Sequence, residues 1–498
     1  MQVKHKRECA AVMSVLLMLS TAACGGSALI DGGNDGYQNA QNSVPEATAL
    51  AVCENSAAAN ESEYTHLYDN EDGNVEYFLV KDAVIDDTAD RMVYVSSYRF
   101  TENDAGRIAE VIFGEANYYD YRTNPQKSKT EILEDYSRWQ GYLENGTIAE
   151  LFFGSETIIK DYESCLEGWV DKYKDQEVEN APEEVRKNDC TWEFRSQDFY
   201  SGIESDARPM VIKAAVEDDR ANYVFSVVNN ITENFSVQSI HVCLNDSLSP
   251  YNIDSLVNQY RLCKGAAPTE SQLESIRDRV VKILEAVGGG QWNIDVLQYD
   301  RLARGTEEAY IVTVKAIPMF EDEPVLRFKQ PDNLVETWSY AQHMYFTDAE
   351  FSFTADGTIL SCTVRSPMQV NKICNISEEK LSTDELKRTV DDLLIKRNIS
   401  NYLECYYFSH SEIGDDGRVK VFIDNVETGL AREKTDNFEE YVYIPAIRIS
   451  GHVEITDGNG ETVFDSSDFY DDCTFLVISA VDGDEICYSY YGSLNANM

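Results

Sequence analysis

The side chains able to do chemistry in this chain are few in kind and scattered. Its 498 residues include 12 cysteines and only six histidines. No Cys-x-x-Cys, His-Glu-x-x-His or Gly-x-Ser-x-Gly occurs, and those spacings are what bring metal ligands, or a nucleophile and its base, within reach of one another. Gly288-Gly289-Gly290 lacks the lysine of a phosphate cradle. Ser377-Glu-Glu-Lys380 formally fits Ser-x-x-Lys, but it stands in a loop ahead of a helix without companion motifs and reads as accidental. Asp69 to Glu76 is acidic with Gly73 one place too early for a calcium loop, and Asp457-Gly-Asn-Gly-Glu461 reads as a hairpin turn. Among 88 carboxylates, a neighbouring pair carries no message about glycosidic chemistry. Tyr118, Tyr119, Tyr121, Tyr406 and Tyr407 could line a sugar or peptide platform, although half-exposed strands commonly use tyrosine. The sequence assigns no catalytic residue, no metal ligand and no cofactor.

One thiol stands apart. Lys4, Lys6 and Arg7 precede an apolar run from Ala10 to Leu19, and Ser20, Thr21, Ala22 and Ala23 lead to Cys24. This is the layout of an export signal, and its apolar run is shorter than the ~20 residues that span a bilayer. Thr-Ala-Ala-Cys-Gly-Gly resembles the lipobox of bacterial lipoproteins, with Thr21 where that family prefers Leu. The resemblance implies that the Cys24 thiol takes a diacylglyceryl group and that cleavage makes Cys24 the new N-terminus. The mature chain is then expected on the extracytoplasmic face of the cell membrane, held there through Cys24.

The formal net charge is −46. Losing Lys4, Lys6, Arg7 and Glu8 with residues 1–23 removes a net +2 and leaves about −48, which disfavours nucleic acid and anionic membrane surfaces as partners and favours solubility; no nucleic-acid partner is expected. Of the other cysteines, Cys243 and Cys362 sit in apolar strand-like runs and are expected as buried free thiols; any disulfide pairing is not legible from sequence.

Elements that could position a site follow from caps and periodicity. Residues 24–62 are rich in Gly, Asn, Ala, Ser and Gln and read as a flexible tether spanning roughly 30–35 Å. An N-terminal α+β domain is expected over 63–267. Its strands are Val75–Val80, Met92–Phe100, a hairpin of Met210–Val216 with Tyr223–Val228, and Phe235–Leu244. Its helices open at the capping boxes Thr101/Asp104 and Ser128/Glu131, run from Glu156 to Tyr173, and return at Ile253–Leu262. Two tandem helix-plus-antiparallel-sheet units are expected over 268–375 and 376–498. Each opens on a capping box, Thr269/Gln272 and Ser382/Glu385, and closes on an Asp-Gly hairpin, Asp356-Gly357 and Asp482-Gly483. With two-residue turns, Phe351 faces Cys362, Ser352 faces Ser361 and Phe353 faces Leu360. In the second hairpin Ile478 faces Cys487 and Val477 faces Tyr488.

The stretch Leu-Val-Ile-Ser-Ala-Val-Asp-Gly-Asp-Glu-Ile, with its upstream helix and the Tyr441–Ile455 strand, resembles PepSY-type regulator domains of Gram-positive cell envelopes. The resemblance implies a lipoprotein that binds or restrains a protein or peptide partner at the cell surface, and it transfers no catalytic residue. The fold class expected is α+β, with an N-terminal domain followed by the two PepSY-like units. A cell-wall or polysaccharide hydrolase and a transporter's solute-binding lipoprotein are the alternatives. Labelling cells with an alkyne fatty acid should mark the protein, and Cys24→Ala should abolish the mark; label retained in that variant contradicts the assignment.

Overall fold

The structure, a computed structural model, describes residues 64–81, 85, 88–121, 127–151, 156–196, 210–231, 236–244, 253–302, 308–326, 348–406, 408–434, 440–468 and 473–486. Strands β1 (Tyr64–Asp69), β2 (Val75–Val80) and β3 (Arg91–Ser97) lead into helix α1 (Glu102–Phe113) and β4 (Asn117–Asp120). Helices α2 (Lys129–Glu144), α3 (Thr147–Leu151) and α4 (Glu156–Asn180) follow, then β5 (Arg195–Ser196), β6 (Met210–Glu217), β7 (Asn222–Ile231) and β8 (Ser236–Leu244). After α5 (Ile253–Cys263) and α6 (Glu270–Val287) come β9 (Gln291–Arg301), β10 (Tyr310–Phe320), β11 (Glu323–Pro324), β12 (Asp348–Thr354), β13 (Ile359–Arg365) and β14 (Met368–Asn375). Three helices, α7 (Thr383–Ile395), α8 (Ile399–Tyr406) and α9 (His410–Ile413), precede β15 (Arg418–Lys434), β16 (Glu440–Thr456), β17 (Thr462–Asp465) and β18 (Cys473–Ser479).

The mixed α+β class is as expected, and all four long capping boxes form. Thr101, Ser128, Thr269 and Ser382 each accept from the backbone amide three residues on, while the acidic or amide side chain there accepts from the cap's own amide. Two orphan donors at each helix start are thereby satisfied locally, which is why these starts could be read from sequence. Helix α4 runs seven residues past Tyr173 before Pro182 stops the pattern.

The strands gather into two sheets. A ten-stranded sheet runs β11-β10-β12-β13-β8-β7-β6-β4, with β9 also on β10 and β5 also on β6. One face of it buries Val314, Phe351, Cys362, Val242, Phe225 and Ala214 as a single row across six strands, and α1 and α6 contribute Ile108, Ile112, Ile276, Val280 and Ile283 to the same core. The opposite face carries Ser239, Thr363, Glu350 and Lys315, the alternation expected of an antiparallel sheet covered on one side.

An eight-stranded sheet runs β1-β2-β15-β16-β3-β14, with β17 and β18 also on β16. Its core is Val75, Tyr77, Val419, Val421, Ile449 and Val453 under Leu386, Val390 and Leu394 of α7. Strand β16 is buried without interruption from Tyr441 to Gly451 and alternates from His452 onward, so its first two-thirds are covered on both faces.

The divisions expected at 267/268 and 375/376 do not coincide with the sheets. β1, β2 and β3 lie in the eight-stranded sheet beside β15 and β16, whereas β4 to β8 lie in the ten-stranded one. Helix α6 is followed by the meander β9-β10-β12-β13, whose last strand continues onto β8. Helix α7 is followed, beyond α8 and α9, by β15-β16-β18, whose first strand pairs in parallel with β2. A meander has open edges, and here strands distant in sequence close them.

Both Asp-Gly turns differ from two-residue geometry. In the first, Phe351↔Cys362 and Ser352↔Ser361 pair as expected, but Phe353 pairs with Ile359, and Leu360 is bulged out. The Thr354 and Thr358 hydroxyls both donate to Asp356 Oδ1, which widens the loop to three residues with Gly357 at φ +83°. In the second, Ser479 Oγ accepts from the amides of Val481 and Asp482, the Gly483 amide donates to Ser479 O at 3.0 Å, and Ile478 bridges Glu485. That four-residue loop shifts the register by two, and Cys487 and Tyr488 lie outside the described residues. A Cβ on Gly483, at φ +79°, would come within 3.2 Å of Leu381 Cδ1 and 3.4 Å of Thr389 Cγ2. Gly483→Val should therefore destabilise the chain by about 1–2 kcal/mol. Gly458→Val, with nothing nearer than 3.6 Å and no positive φ, should cost less. Val390→Asp, burying a charge, should cost about 3 kcal/mol or more in denaturant unfolding of the full chain.

Candidate functional site

Cys24, the lipid attachment residue assigned from sequence, lies outside the described residues. Ser377 and Lys380 do not form a nucleophile pair. Ser377 Oγ donates to Asn375 Oδ1 at 2.6 Å, whereas Lys380 Nζ reaches Thr88 O and, at 2.6 Å, Asp90 Oδ1. Asp457 Oδ1 accepts from the amides of Asn459 and Glu461, as a hairpin turn requires. Tyr118 donates to carbonyls at the end of α1, and the rings of Tyr119 and Tyr121 are covered by Lys187 and Lys213. Neither Cys243 nor Cys362 is in a disulfide; Cys362 is buried as expected while Cys243 is half-buried, and complete burial pushes the Cys362 thiol well above its ordinary range. Among the described residues no group of three or more His, Cys, Asp or Glu side chains could hold a metal ion.

One gathering of reactive side chains lies on the face of the eight-stranded sheet away from α7. β15 carries a bulge at Asp424, where the pairing with β16 jumps from Ile423↔Gly451 to Asn425↔Ser450. A Cβ at Gly451 would lie 1.9 Å from Phe422 O and 2.7 Å from the Asp424 amide nitrogen, so the bulge exists because position 451 has no side chain. The bulge aims the Asp424 carboxylate along the sheet. There Oδ1 accepts from the Tyr64 hydroxyl, and Oδ2 lies 2.7 Å from His452 Nδ1. A carboxylate can only accept, so Nδ1 carries the proton in this contact, and in the neutral form of the ring Nε2 is the acceptor. That oriented imidazole suits a hydrogen-bond acceptor or a general base.

The imidazole also ends a row of rings. His66, Phe78, Phe422 and His452, on β1, β2, β15 and β16, follow one another with centroids 5.2, 5.1 and 4.5 Å apart. Phe422 lies 6° from the plane of His452 and 19° from that of Phe78. Phe422 thus has both flat faces covered by its neighbours, whereas His66 meets Phe78 edge-on at 73°. The row is a brace more than a stacking platform.

The most fully bonded buried carboxylate is Asp254 at the start of α5. Arg138 reaches it with Nε at 2.9 Å and a terminal nitrogen at 2.6 Å, Trp139 Nε1 at 3.0 Å and the Tyr142 hydroxyl at 2.9 Å. Burial alone would raise its pKa, but the hydrogen bonds and charge of Arg138, with Trp139 and Tyr142, overturn that and hold it below the usual carboxylate range. With every acceptor direction used, this cluster clamps α5 to α2 and offers nothing to a ligand.

The chain matches no family model, no curated protein and no solved structure.

Sequence reading missed Tyr64, Asp424 and His452 because 360 residues separate the first two, and no local spacing reports such a meeting. The one available signal was Gly451 beside a rare histidine inside an apolar strand, a pattern that marks a bulge or a close backbone approach. For the Asp254 clamp the sign is fixed by its lowered folded pKa: its stabilisation is complete above the unfolded value near 3.9 and is lost as pH falls through the lower folded value. The stability difference between the wild type and Asp254→Asn should therefore be constant from about pH 7 to 5 and shrink below about pH 4. A difference that grows in acid contradicts this.

Proposed function

We propose that this chain is an envelope lipoprotein, anchored through Cys24 on the extracytoplasmic face of the bacterial cell membrane, whose folded part binds or restrains a protein or peptide partner without catalysing a reaction. The observation that carries the reading is the run from Lys4 to Cys24: basic start, short apolar run, small residues, cysteine and then a polar tether. Two arrangements support the regulatory part. Helix α6 covers the meander β9-β10-β12-β13, and α7 covers β15-β16-β18 with its return through Glu485. Each is a helix on an antiparallel sheet, the plan implied for tandem PepSY-like units.

A wall or polysaccharide hydrolase is the second reading, and the Asp424-oriented imidazole of His452 is what favours it. One experiment separates the two. Crosslinking on intact cells should give discrete adducts with a surface protein, and Cys24→Ala should release the protein to the medium with loss of those adducts. Purified protein should leave wall polymer intact. Solubilisation of wall polymer by the wild type, but not by His452→Gln, would establish the hydrolase instead.

A further inference from the structure

The eight-stranded sheet ends at β14, and its last edge differs in chemistry from the rest of the protein. β14 pairs with β3 alone among the described residues, and from Gln369 to Ile373 every residue is exposed. Val370 pairs with Val95 and Ile373 with Val93. The register jump past Asn371 therefore puts both apolar side chains on the face of the buried Val93 and Val95. At the edge that face has run out of cover: Val370 and Ile373 are 38% and 36% exposed, and Tyr94 on the reverse face is 37% exposed.

Charge makes the edge selective. Of 88 carboxylates in the chain, none falls in β3 or β14, whose only charged residues are Arg91 and Lys372. Arg91 is paired with Glu321, while Lys372 makes no ion pair among the described residues and lies with Nζ 5.7 Å from the centre of the Tyr94 ring. Two other edge strands carry acids, Asp69 on β1 and both Asp295 and Asp300 on β9.

We propose that β14 is a docking edge that accepts an extended segment of a partner protein as one more antiparallel strand. This inference rests on the binding reading above and names its surface. The occupant has apolar side chains on the face shared with Val370 and Ile373, and a carboxylate on the reverse face where it passes Lys372. Backbone hydrogen bonds to the open edge supply affinity, and alternate side chains supply selection. A second copy is disfavoured, because like-on-like pairing sets Lys372 near its own mate between two chains of net charge −46. The overall repulsion acts less on a short acidic segment, since charges beyond about 8 Å are screened at physiological salt.

The test uses the purified full chain and two fluorescent nonapeptides, Thr-Val-Thr-Val-Glu-Val-Thr-Val-Thr and the same sequence with Lys at its centre. The Glu peptide should slow hydrogen exchange at residues 369–374 and bind about tenfold more tightly than the Lys peptide, the sum of one gained and one lost cross-strand charge pair. Lys372→Glu should reverse that preference without moving the unfolding midpoint. The proposal is overturned if neither peptide protects 369–374, if Lys372→Glu leaves the preference unchanged, or if sedimentation shows a dimer that Ile373→Asp abolishes. Because the assay needs no membrane, its outcome is independent of whether Cys24 is acylated.

Discussion

The pairing of β15 with β16 is the contact on which the eight-stranded sheet depends. Two 17-residue strands run antiparallel with a single bulge, and the free edge of β16 is then shared by three short strands in succession. β3 takes Glu440–Tyr443, β18 takes Ala446–Gly451 and β17 takes Glu454–Thr456. β2 closes the free edge of β15 in parallel, from Val419 to Ile423. Without the long hairpin β17 and β18 have no named strand to pair with among the described residues, and β1–β2 and β3–β14 are left as separate two-stranded pairs, which are marginal in water. The hairpin also brings Arg448 into the interior at 2% exposure, where its Nε lies 3.0 Å from Glu427 Oε2 on the facing strand. Such a buried charge persists only with its partner held in register.

The same hairpin joins the first described strands to the later part of the chain. Asn70, in the β1–β2 turn, accepts from the amides of Asn74 and Val75 and donates to Arg397 O just past α7. Tyr77 donates to Leu394 O at 2.9 Å. Tyr64 bonds the Asp424 carboxylate on the opposite face. The first described strands are therefore fastened on both faces to elements more than 300 residues away.

What could be read from sequence was local. Thr101, Ser128, Thr269 and Ser382 each commit two orphan amides within four residues, and the helices begin where those residues say. The β6–β7 hairpin and the first pairings of β12 with β13 likewise need only alternation and a short turn. The turns themselves escaped because side chains reshaped them: Thr354 and Thr358 gather on Asp356, and Ser479 caps its own loop. The sheet partners escaped for another reason. An open meander edge does not record which distant strand will cover it, so β2 beside β15 and β8 beside β13 were invisible. The Asp424 cluster inherits that limit, since Tyr64 reaches it only after β1 and β2 have joined β15.

Strands from residues 64–97 and 418–479 lie in one sheet around β15–β16, and that sheet should open as one cooperative unit. Native-state hydrogen exchange in rising, sub-denaturing urea tests it most directly. The paired amides of β2, β3, β15 and β16 should share one opening free energy and one denaturant dependence. Opening of 75–97 at low urea while 418–456 stays protected would contradict it.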